Sequence, residues 1–85
     1  MTIETCSSKK VLTLYVGEGC HLCDQARHLL QPVIAELSWT LEEISIVGDE
    51  TLVATYGLRI PVVKTPAGEE KGWPFTVGQI KRLLT

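Results

Sequence analysis

Two cysteines three positions apart, Cys20 and Cys23, sit in the stretch GEGCHLCDQA at residues 17–26. A pair this close has three chemical uses: a covalent staple, a metal clamp, or a dithiol that opens and closes. As a staple it does little, because the loop it closes is too short to restrict the unfolded chain much. As a zinc clamp it is short of ligands, since zinc takes four and the only histidines are His21 and His28. His28 lies five positions beyond Cys23, about 140° around a helix, and points elsewhere. The redox use fits the surroundings best. The metal clamp and an incidental pair stay open as alternatives.

Those surroundings put Cys20 at the start of a helical pattern. The first-turn N–H groups of a helix are unpaired and the macrodipole is positive there, so a Cys20 thiolate, the reactive form, is favoured. Cys23 lies one turn on, on the same side and within disulfide reach. Partly covered, it is expected to stay a thiol until Cys20 forms a mixed disulfide, then to attack and release the product. His21 and Arg27, when charged and near, favour the thiolate, whereas Glu18 and Asp24 oppose it. The expectation is a lowered Cys20 pKa, short of that of the strongest oxidants.

The elements that must hold this pair are legible as periodicities. VLTLYV at residues 11–16 reads as a strand buried on both faces. Gly17-Glu18-Gly19 is a loop. Leu22, Ala26, Leu29, Leu30, Val33 and Leu37 recur at steps of three and four, giving one helix over about residues 21–37, bent at Pro32. LEEISIV at residues 41–47 is a second strand, with Ile44 and Ile46 on one face and Glu43 and Ser45 on the other. Asp49 caps a short helix stopped by Gly57 in the left-handed region. IPVVK at residues 60–64 is a third strand, TPAG a turn, and EEKGW a charged edge strand returning antiparallel. Thr76 and Gln79 form a capping box before a last helix that buries Val77, Ile80, Leu83 and Leu84. The fold class is α/β: a β-α-β-α-β-β-α order with a mixed four-stranded sheet flanked by helices. Residues 1–9, with Cys6, read as a flexible tail, and residues 10–85 as one domain.

The chain has 85 residues, 45% hydrophobic and 21% charged, with a net charge of −2. One small domain of modest stability fits that length. No basic stripe is present to neutralise phosphates, so nucleic acid is not an expected partner. No apolar run approaches a membrane span, and the N-terminus MTIETCSSKK is not patterned as a secretory signal. The expected location is the cytoplasm, where close cysteine pairs serve redox chemistry or metals more often than structure.

With the pair placed, the chain resembles the thioredoxin superfamily, in particular small glutaredoxin-like proteins carrying C-x-x-C followed by Asp. LYVGEGCHLCDQA is similar to the strand, loop and active-site helix. LEEISIVGDETLVATYGLRIPVV is similar to the second strand, short helix and proline-bearing third strand, and GEEKGWPF to the closing segment. The likeness spans about residues 11–84. It implies a cis Ile60–Pro61 bond, Pro61 beside the cysteines, and Ile60 offering backbone groups to an extended substrate by a short β-addition. Two departures count against a glutathione site: Glu18 stands where such glutaredoxins carry a basic residue, and Gly72-Trp73-Pro74-Phe75 replaces their acidic glycine turn. Trp73 and Phe75 are expected to pack on the sheet rather than line a substrate lip. The His21-Leu22 dipeptide matches neither common pair, so no potential carries over. The expected function is a thiol–disulfide oxidoreductase, with Cys20 as nucleophile, Cys23 as resolving thiol, and no bound cofactor or metal. Its partners are a protein or small-molecule disulfide and an electron-donating thiol or reductase, and it acts as a monomer. The alternative is a non-enzymatic binding module that uses the fold to hold a partner protein or a metal.

Overall fold

The computed structural model describes residues 10–85; the expected tail at residues 1–9, with Cys6, lies outside the described residues. The chain runs β1 (Val11–Val16), α1 (His21–Leu37), β2 (Thr40–Ser45), α2 (Glu50–Tyr56), β3 (Val62–Lys64), β4 (Glu70–Gly72) and α3 (Val77–Leu84). One sheet has the order β2-β1-β3-β4. β1 and β2 are parallel, and β1–β3 and β3–β4 are antiparallel. The carboxyl ends of β1, β2 and β4 and the start of β3 therefore share one edge, where the cysteines lie.

The two sheet faces are covered unequally, which corrects the reading of β1. Leu12 and Leu14 are fully buried, but Val11, Thr13 and Tyr15 on the opposite face are only half covered. α1 and α3 cover the first face, where Leu12, Leu14 and Val63 pack with Ala26, Leu30, Val33, Phe75 and Ile80. Burying each such leucine contributes about 1.5–3 kcal/mol over leaving it exposed. The second face is packed only near the cysteine edge, where Ile46, Tyr56 and Val62 meet Tyr15, Leu52 and Ile60. A seven-residue α2 is too short to reach further.

Several local readings shift. α1 runs unbroken through Pro32, which sits on its exposed side. Its buried stripe is Cys23, Ala26, Leu30, Val33 and Ile34. Leu22, expected inside, is 44% exposed, because the helix is rotated to bury Cys23 in its place. β2 ends at Ser45 rather than 47, although the Ile46 N–H still bonds the Val16 carbonyl at 3.0 Å. Asp49 caps α2 through the Leu52 N–H at 3.1 Å. Gly57 is right-handed (φ −52°, ψ −35°), not left-handed. A Cβ there would lie 2.5 Å from the Val53 carbonyl oxygen, so close approach is what requires glycine. α3 has its full capping box, and of its expected apolar side Val77 stays exposed.

Candidate functional site

Gly17-Glu18-Gly19 carries the chain off the end of β1, and Gly19 takes a left-handed φ of 65°, which favours glycine. Cys20 follows in extended conformation as the N-cap of α1. Its sulfur accepts the Cys23 N–H at 3.1 Å, one of the orphan donors of the first turn. Cys20 and Cys23 are joined as a disulfide, with Cα atoms 5.2 Å apart. The pair is asymmetric: Cys20 is half exposed and Cys23 is 1% exposed.

A shallow hollow of about 240 Å³ opens at the pair, lined by Gly17, Gly19, Cys20, His21, Asp24 and Arg27 around Cys23. His21 and Asp24, both singled out from the sequence, are thus brought to the sulfurs, and exposed Glu18 stands in the loop between the two lining glycines. Arg27 plays a different part from the one expected. Its Nε and one terminal nitrogen bond both Glu43 carboxylate oxygens at 2.5 and 2.9 Å, and its other terminal nitrogen bonds Asp24 at 2.6 Å. These bonds, Glu43 first and then Asp24, push the guanidinium pKa well above its ordinary value. Arg27 therefore spends its charge on carboxylates rather than on a Cys20 thiolate, and the opposing effect of Asp24 is softened in turn.

Ile60 and Pro61 lie on the same edge. The Ile60–Pro61 and Trp73–Pro74 peptide bonds are cis. Ile60 packs over the site loop so closely that a Cβ on Gly17 would lie 2.5 Å from Ile60 Cδ1. Pro61 is fully buried, and its carbonyl accepts the Trp73 N–H at 3.0 Å. The Ile60 N–H is already used, donating to the Tyr56 carbonyl at 3.0 Å. A β-addition at Ile60 is thereby reduced from a donor and an acceptor to the carbonyl alone.

Tyr56 is the residue that sequence reasoning missed. Its carbonyl accepts the N–H groups of Arg59 and Ile60 at 2.8 and 3.0 Å, which turns the chain from α2 toward Pro61. Its hydroxyl donates to Glu70 on β4 at 2.7 Å, and its ring stacks on Tyr15 of β1 with centroids 4.2 Å apart. The Arg59 guanidinium lies 5.2 Å over the ring and 3.6 Å from Glu70. The Glu70 bond, then burial, push the Tyr56 hydroxyl pKa up to about 12. No local signal marks this node, because its partners are distant in sequence.

Trp73 and Phe75 meet edge to face at 5.0 Å and pack with the first core, as expected of them. His28 is exposed. Among the described residues no three His, Cys, Asp or Glu side chains gather as a metal site, and no helix is long and apolar enough to cross a membrane. A larger hollow of about 350 Å³, lined by Trp39, Pro66 and Leu83 among others, lies at the opposite end of the sheet and contains no cysteine.

Known proteins share this fold. The family model described as Glutaredoxin-like domain (DUF836) matches residues 11–85. The X-ray structure of target protein XcR50 from X. campestris is similar at 40% identity with a TM-score of 0.75, covering 86% of this chain and 93% of that one. Its solution structure gives 40%, 0.73, 86% and 90%. The solution structure of protein Ne2328 from Nitrosomonas europaea is similar at 30% identity with a TM-score of 0.76, covering 87% of this chain and 89% of that one. No curated protein matches. A family model spanning the domain, similar folds at these identities, and a C-x-x-C pair at the head of α1 place this chain in the glutaredoxin-like family of thioredoxin-fold proteins.

Proposed function

We propose that this protein is a thiol–disulfide oxidoreductase working through Cys20 and Cys23. In the reducing direction the Cys20 thiolate attacks a disulfide R–S–S–R′. A Cys20–S–S–R bond forms, and R′S⁻ leaves and takes up a proton. The Cys23 thiol loses its proton to solvent, its thiolate attacks the Cys20 sulfur, and RS⁻ leaves. The dithiol has then given two electrons to the substrate and closed as Cys20–Cys23. A small thiol or a reductase returns it to the dithiol, and no bound cofactor takes part.

The observation that carries this reading is the asymmetry of the pair. One sulfur is accessible and sits on the positive end of a helix, and its partner is covered immediately behind it. Cys20 is thereby suited to meet substrate, and Cys23 to react only with what Cys20 has captured. Pro61 shapes the groove beside the pair and the Ile60 carbonyl accepts one substrate N–H, with Tyr56 holding that carbonyl in place. His21, Glu18 and Asp24 tune the Cys20 thiolate. The protein works as a monomer in the cytoplasm.

Mass-mapped iodoacetamide kinetics on the reduced protein, together with insulin reduction, test the proposal. Cys20 is expected to alkylate first at neutral pH, and insulin reduction to require both cysteines. Equal alkylation rates would overturn the role assignment, and no turnover on any disulfide would leave a binding module in its place.

A further inference from the structure

Among the described residues, the cysteine edge is rich in acidic side chains. Glu18, Asp24, Glu43, Asp49 and Glu50 all fall at the disulfide edge or on the elements that begin or end there. The two arginines on this side are matched: Arg27 is shared between Asp24 and Glu43, and Arg59 faces Glu70. Neither offers an unmatched positive charge to an incoming group; Lys71, level with Glu43 across the sheet, lines a different hollow with Glu69 and Arg82 rather than the one at the cysteines. Lys10, Lys64, Lys81 and Arg82 lie toward the opposite end, at the start of β1, the end of β3 and the second half of α3, where Glu36, Glu42 and Glu69 accompany them and bring that end close to balance. The acidic residues are not themselves a site. The disulfide is the site, and the half-exposed Cys20 sulfur must be approached through their field.

We infer that the site selects disulfides flanked by positive charge, such as a cysteine in a lysine- or arginine-bearing segment of a polypeptide, and disfavours anionic ones. The inference rests on the exchange reading above and adds the substrate class. Surface charge of one sign within a Debye length raises the local concentration of opposite charge and depletes its own sign. The hollow at the cysteines is shallow and open to solvent, so the effect acts on approach and vanishes with salt. The covalent step is unchanged. Cys20–S–S–R forms with loss of R′S⁻, and Cys23 then displaces RS⁻; only the encounter depends on charge.

Three small disulfides of graded charge test this on the whole reduced protein: cystamine (cationic), 2-hydroxyethyl disulfide (neutral) and 3,3′-dithiodipropionate (anionic). Oxidation of Cys20–Cys23 is followed by acid quench and mass at pH 8, above the ordinary imidazole range. Each rate is divided by the rate of the same disulfide with dithiothreitol, which removes intrinsic reactivity. In low salt, normalised rates should fall from cationic to neutral to anionic by about threefold to tenfold per step, and the spread should collapse in 0.5 M salt. Glu18→Gln should narrow the cation-to-anion ratio by about twofold to threefold. If the neutral disulfide fails to oxidise the pair, the exchange reading and this inference fall together. If it reacts and the charged compounds show equal normalised rates at low salt, the inference is overturned and the exchange reading stands.

Discussion

Helices α1 and α3 begin with the same capping pattern put to different uses. At α3, the Thr76 hydroxyl accepts the Gln79 N–H at 3.1 Å, and the Gln79 side chain returns to the Thr76 N–H at 3.0 Å. At α1, the Cys20 sulfur accepts the Cys23 N–H at 3.1 Å, and the Cys23 side chain returns to that same sulfur as a covalent bond. Cap and third helical residue are coupled in both. In α3 the coupling serves stability alone. In α1 the capping atom is also the atom proposed to react, so the groups that finish the helix are the ones that surround the chemistry. A cap coupled to the third helical residue becomes a redox pair by changing the two side chains on an extended N-cap backbone.

The largest expected effect breaks the likeness chemically and keeps it structurally. Cys20→Ser retains a good capping oxygen, so its stability should stay within about 0.5 kcal/mol of the reduced wild type. Its disulfide exchange should drop by at least about a thousandfold, as for loss of a nucleophile. Thr76→Ala should do the reverse: exchange is kept, while urea melts show a loss of about 1 kcal/mol. Comparable exchange in the two variants would mean that the α1 start is a cap and nothing more.

A middle-sized effect is expected at the end of α2, where Tyr56 ties the helix to β4. Tyr56→Phe keeps the ring stacked on Tyr15 and loses the bond to Glu70, which should cost about 1–2 kcal/mol in urea melts near neutral pH. The pH dependence has a definite sign. The folded state holds the Tyr56 proton more tightly, with a pKa near 12 against an ordinary 10. Its stabilisation is therefore fully present below pH 10 and is lost as pH rises toward 12. Melts between pH 9 and pH 11.5 should show wild type converging on Tyr56→Phe. A constant gap across that range would remove the Glu70 bond from the account.

The smallest effect is at the far end of α1. Ser38 takes a left-handed φ of 60°, with its N–H on the Ala35 carbonyl and the Trp39 N–H on the Ile34 carbonyl at 2.9 Å, a closure usually made by glycine. Ser38→Gly should stabilise by about 0.5–1 kcal/mol, since glycine reaches this region without the Cβ penalty. Thermal melts would register it, and a destabilised variant would show that the serine side chain contributes more than the strain it causes.

The helix ends also show what a sequence discloses. The Thr76–Gln79 box, the Asp49 cap and the Cys20 position were legible because each depends on residues within one turn. The element order and the β3–β4 hairpin were legible because apolar period and turn chemistry are local as well. Tyr56–Glu70 and Arg27–Glu43, at separations of 14 and 16 residues, were not, since they need the sheet register before the partners can be paired. Arg27 was read by its charge alone, without the two carboxylates that hold it. The rotation of α1 was misjudged for another reason. Counting Cys23 as chemistry and Leu22 as core turns the stripe by one residue, whereas a thiol is apolar enough to be buried first.

The contact between Gly17 and Ile60 restricts how this sequence can vary. A methyl at position 17 would meet Ile60 Cδ1 at 2.5 Å and Cγ1 only at 4.0 Å. The obstacle is a single terminal carbon, and valine lacks it. Gly17→Ala alone must turn that carbon aside, whereas Gly17→Ala with Ile60→Val fits without moving the backbone. The two positions, 43 residues apart in the chain, form a compensating pair: alanine at 17 costs a displaced side-chain end while isoleucine stands at 60, and nothing once valine replaces it.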